Sequence, residues 1–105
     1  MTFPTIHMNG TSAADLLEGY RKAMDALHDA QNALAECGPN GRDYYPQGPE
    51  AMTAALAEHW QRREKLAKIH DEVQELAIHC INAIHEREER DKERDARAAA
   101  RRAEA

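Results

Sequence analysis

Between residues 12 and 37, apolar or small side chains fall at Leu16, Tyr20, Ala23, Leu27, Ala30, Leu34 and Cys37, in steps of four and three. That spacing keeps them on one face of a helix. Ser12, three residues before Asp15, approximates a capping box and sets the start. Gly38-Pro39 supplies the stop, with Gly expected as a left-handed cap. A second helix is predicted from Pro49, since Pro suits a first helical position and Glu50 suits its positive end. Its stripe runs Met52, Leu56, His59, Arg63, Leu66, Ile69, Val73, Leu76, Cys80 and Ala83, with Ala77, Ile81 and Ile84 beside it. After Ile84 the large apolar residues stop. Residues 86–105 offer i,i+4 charge pairs instead, such as Glu86–Arg90 and Glu93–Arg97, enough for a solvated helical tail.

The pattern predicts an all-α protein. Residues 12–37 and 49–85 are expected to double back as an antiparallel two-helix hairpin. A loop over 38–48 joins them and the charged helical tail of 86–105 follows. Residues 1–11 form a short extended arm, in which Thr5 to Met8 tolerate a strand before the Asn9-Gly10 turn. A tight hairpin would set Cys37 near 49–52 and residue 16 near 70–74. Ile78, Cys80, Ile81 and Ile84 would then overhang the first helix. A two-helix hairpin buries little on its own, so the overhang predicts a homo-oligomer, a dimer or higher, closing into a helical bundle. The expected interface is Trp60, Val73, Leu76, Cys80, Ile81 and Ile84.

Composition narrows function more by exclusion than by pointing. At 105 residues the chain makes one domain. No apolar run approaches the ~20 residues of a membrane span, and no basic-then-apolar leader opens the chain, which predicts a cytoplasmic protein. The net charge is −5, and all of it lies in residues 1–85, because the tail balances seven basic against seven acidic side chains. Nucleic acid is therefore disfavoured as a partner. Cys37 and Cys80 form no metal-type pair and read as buried, reduced thiols that the hairpin holds too far apart to bridge. The six histidines lack an i,i+4 ligand pair, so no metal or other cofactor is expected. His79 and Cys80 point about 100° apart on a helix, a poor nucleophile–base pair. No phosphate-cradling Gly motif is present and the carboxylates fall on solvated faces, so no enzyme is expected.

The segment from Asn40 to Gly48 concentrates the chemistry. Arg42 can fork two hydrogen bonds to a phosphate or carboxylate, and Tyr44 and Tyr45 can stack on a ring. Asn40, Asp43 and Gln47 add amide and carboxylate groups. This set could contact an anionic, nucleotide-like ligand or a host protein. The same residues could instead be architecture, with Arg42 pairing Asp43 and the tyrosines plugging the hairpin's open end.

Through Thr5-Ile6-His7-Met8-Asn9-Gly10-Thr11-Ser12 and Pro39-Asn40-Gly41-Arg42-Asp43-Tyr44-Tyr45-Pro46-Gln47-Gly48-Pro49, residues 5–85 resemble small phage and prophage proteins of proteobacteria. The resemblance implies a phage accessory or virion protein in a bacterial host cell, and no particular activity. In outline the arm and hairpin are also similar to oligomeric phage proteins that sequester cyclic-nucleotide signals of host defence. That second likeness is architectural and carries no shared motif.

Overall fold

A computed structural model describes residues 1–104. The chain is all-helical in class, without strands among those residues: α1 spans Ala13–Glu36, α2 Gly41–Tyr44, a 3₁₀ turn Tyr45–Gln47, and α3 Pro49–Glu104. α3 alone has 56 residues, about 84 Å at ~1.5 Å per residue. It sets the long dimension of a molecule measuring 88 × 21 × 16 Å. Among the described residues no helix is long and apolar enough to cross a membrane.

Local chemistry explains the ends of α1. The Ser12 hydroxyl accepts the Asp15 amide at 3.1 Å and relieves one of the four orphan donors there. At the other end the Cys37 amide donates back to the Leu34 carbonyl at 3.2 Å. Gly38 is not left-handed, contrary to the expected cap; among the described residues only Gly48 has a positive φ, at 107°. Gly38 instead lies against α3, where an added Cβ would meet His59 Nε2 at 3.5 Å.

Residues 38–48 are not an open loop. The Asn40 side chain accepts the Arg42 amide at 3.2 Å and starts α2, which runs on into the 3₁₀ turn. This coiled segment packs on α3 and opposes its first turns. α1 therefore meets α3 further along than a tight turn would allow. Leu17 sits in one cluster with Ala77 and Cys80, lined by Leu16, Tyr20, Met24, Ile81 and Ile84. Twenty-one residues separate Leu17 from Gly38, and the same number separates His59 from Cys80. A step forward on α1 is thus a step back on α3.

This register corrects two expectations. Cys80 does not overhang: it is fully buried, while Ile81 and Ile84 are half-buried beside it. Cys37 is not buried: it is exposed, with its thiol 3.3 Å from the Leu34 carbonyl. The two free thiols lie at opposite ends of the α1–α3 contact.

The arm is extended and unpaired, so the tolerated strand does not form. It turns where the Gly10 amide donates to the His7 carbonyl at 3.1 Å; a Cβ on Gly10 would fall 2.8 Å from His7 Nε2. The arm's start lies on α3. His79 Nε2 stands 2.7 Å from the Pro4 carbonyl, and a carbonyl can only accept, so Nε2 carries the proton. The Phe3 ring packs on the same imidazole at 5.1 Å.

Candidate binding surface at the corner of the fold

The corner is a short helical knuckle held at both ends. Asn40 is spent on its start, through its side chain to Arg42 and its carbonyl to the Asp43 amide at 3.0 Å. Gly48 closes it: its amide donates to the Tyr45 carbonyl at 3.2 Å, and its positive φ turns the chain into α3. A left-handed residue with a side chain would be strained at that point. Pro46 and Pro49 fix φ on either side of the bend.

On this frame the predicted residues divide. Tyr44 is half-buried and anchors the knuckle. Arg42, Asp43 and Gln47 are exposed, and Tyr45 is 75% exposed. Among the described residues no ion pair involves Arg42 or Asp43, so the expected internal pair is not formed. Arg42 and Tyr45 are three residues apart on one tight turn, which sends their side chains to the same side.

The predicted interface residues also divide. Cys80 has no surface left to give a partner, because Leu17 and its neighbours already enclose it. Burial raises its thiol above the ordinary 9.0, since a thiolate there would lose its water. Val73, Leu76, Ile81 and Ile84 are half-buried at the edge of the α1–α3 seam. Trp60 is 56% exposed, with the Arg63 guanidinium 4.7 Å above its ring. Beside it lies an open groove of about 220 Å³ between α1 and α3, walled by Gln31, Trp60, Arg63, Glu64 and Ala67. A second, shallower depression lies at His85, Glu86, Glu89 and Arg90. Its walls come from a single helix, so it encloses nothing.

Of the residues buried in the seam of α3, sequence reasoning placed His59 and Cys80 on the stripe with Ala77 beside them and missed Ala55. Ala55, His59, Ala77 and Cys80 are buried there, whereas Leu56, Ile69 and Ile78 are left out. Leu56 and Ile78 share one face and the buried four share another, both at helical spacing, and only the register chooses between them. Among the described residues no group of metal-ligating side chains converges. No protein-family model, curated protein or solved structure matches the chain.

Proposed function

We propose that this is a non-enzymatic accessory protein of phage type, a helical hairpin acting as a homo-oligomer and binding through its corner. The observation that carries the binding reading is the pair Arg42 and Tyr45, both exposed on a knuckle that Asn40 caps and Gly48 closes. A guanidinium and a phenol exposed on one turn suit an anionic ring-bearing ligand, such as a nucleotide. A pre-set corner also loses little freedom on binding. A host protein bearing an acidic, flat patch is the other occupant this chemistry allows.

The oligomer reading is supported by area. The chain exposes 8346 Å², whereas a compact monomer of 11.8 kDa exposes about 5,900 Å². The bare end of α3 accounts for part of the difference. Even half of it exceeds the ~800 Å² per partner of a standard interface.

Calorimetry against nucleotides and cyclic nucleotides tests the ligand. Heat that disappears in the Arg42→Ala and Tyr45→Ala variants supports it; no heat across the set removes the nucleotide version. A second reading, a minor structural or assembly component of a phage particle, is favoured by the 56-residue helix of α3. Mass spectrometry of purified particles decides it, because an assembly component must be found in them.

A further inference from the structure

α3 has a second row, apolar at its ends and mixed in character, that lies outside the packed cluster; at its middle Trp60, Arg63 and Ala67 also wall the groove beside Gln31 of α1. It is centred on Ala67 and is symmetric about it. Leu56 and Ile78 lie eleven residues either side, Trp60 and Gln74 seven, Arg63 and Asp71 four. At ~100° per residue all of them fall within an arc of about 80°. The arc lies on one side of the α1 seam, and His79, which holds the arm, points to the other. The row is open at Leu56, which is 39% exposed, at Trp60, 56%, and at Ile78, 48%, while Arg63 and Ala67 at its middle are half-buried. Asp71 and Gln74 are exposed as well.

We infer that this row is a homodimer interface, in which two copies of α3 pack antiparallel and cross at Ala67. A two-fold contact is self-complementary: what residue i meets on the partner, that partner residue also meets here. Reversing the row about Ala67 sets Leu56 against Ile78 of a second copy, apolar on apolar. It sets Arg63 against Asp71 of the second copy, and the symmetry makes that ion pair twice. It sets Trp60 against Gln74, an amide that can lie on the ring or enter the groove beside Gln31. Ala67 at the crossing has the small side chain that lets two helices approach closely. A parallel pairing loses all of this, because each residue would meet its own kind and Arg63 would face Arg63.

The exposed area argues for the same occupant, since a second copy covers this face and the matching one together. α1 and its copy then stand on the same side of the α3 pair, which completes a four-helix arrangement. The inference rests on the oligomer reading above and specifies its face, direction and register.

The experiment uses the full chain with Cys37→Ser, so that no native exposed thiol interferes. Native mass spectrometry first gives the oligomeric state. Oxidation of an Ala67→Cys variant is expected to give a covalent dimer in high yield. Leu56→Cys alone is expected to give none, while a mixture of Leu56→Cys and Ile78→Cys chains gives a dimer linked between unlike copies. Arg63→Asp and Asp71→Arg are each expected to weaken dimerisation at least tenfold, and the double exchange to restore it. A chain that stays monomeric overturns this inference and the oligomer reading together. An oligomer that cross-links through Leu56 with itself, or not through Ala67, overturns the inference and leaves the oligomer reading standing. So does a double exchange that fails to rescue.

Discussion

The two ends of α3 are covalently one helix and physically two different objects. From Pro49 to Ile84 the helix is held by its neighbours: the knuckle at its start, α1 along its middle, and the arm at His79. From His85 onward it is held by itself. Its described side chains are exposed apart from Asp91, and its support is local: Lys92–Glu89 at 3.8 Å, Arg94–Asp91 at 3.4 Å and Arg97–Glu93 at 3.9 Å. Such pairs stabilise an exposed helix by only ~0.2–0.5 kcal/mol each. A buried side chain in the first half carries several times that. The contrast teaches that helix continuity need not mean equal stability, and that the two halves must respond to different perturbations.

The largest response is expected at Leu17, the large side chain of α1 that closes over Ala77 and Cys80. Leu17→Ala should destabilise the packed half by about 2–5 kcal/mol. An Arg94→Ala change in the distal half should stay within about 0.5 kcal/mol. Urea titration followed by far-ultraviolet circular dichroism measures both, and equal effects would erase the distinction.

Next comes Cys80. Cys80→Ser places a hydroxyl in a site with no surface exposure, and about 1–3 kcal/mol should be lost. The wild-type thiol also gives a pH signature. Its pKa is raised in the folded chain, so the folded form keeps a proton that the unfolded form releases. Its contribution is therefore complete below pH 9.0 and is lost as the pH climbs toward the raised folded value. Stability curves at pH 8 and above 9 should diverge in the wild type and not in Cys80→Ala. A thiol reagent should label exposed Cys37 immediately and Cys80 only as the packed half opens.

A smaller loss is expected at the cap. Ser12→Ala removes the acceptor for the Asp15 amide and should cost about 1 kcal/mol, again in the packed half. The smallest effect belongs to salt. Near 1 M the screening length falls to ~3 Å, so helicity contributed by the last twenty described residues should decline modestly. The midpoint of the packed half should hold. A midpoint that followed the tail would show that the two halves are coupled after all.

The corner was legible as chemistry and not as shape. Arg42, Tyr44, Tyr45 and Gln47 were identifiable because few stretches combine such groups. Sequence could not say that Asn40 would be consumed as a cap or that Tyr44 would turn inward while Tyr45 stayed out. Those outcomes follow from where the knuckle sits on α3. The phenols share a side-chain type and differ only in the direction their backbone gives them.

Sequence alone determined what local forces determine. The helices begin at Ser12 and Pro49, because an orphan amide needs an acceptor and a first helical turn tolerates Pro. The tail is helical without a core, because its charges alternate at helical spacing. The register belonged to the tertiary structure. Two stripes on α3 repeat with the same period, one through Leu56 and Ile78, the other through Ala55, Ala77 and Cys80. Periodicity is blind to that choice, since a shift of one residue leaves the spacing intact. The knuckle decides it, by occupying the first turns of α3 and setting how far along α1 must begin. Ala77 and Cys80 then pack on Leu17 with Ile81 and Ile84 beside them, and Leu56 and Ile78 are left exposed.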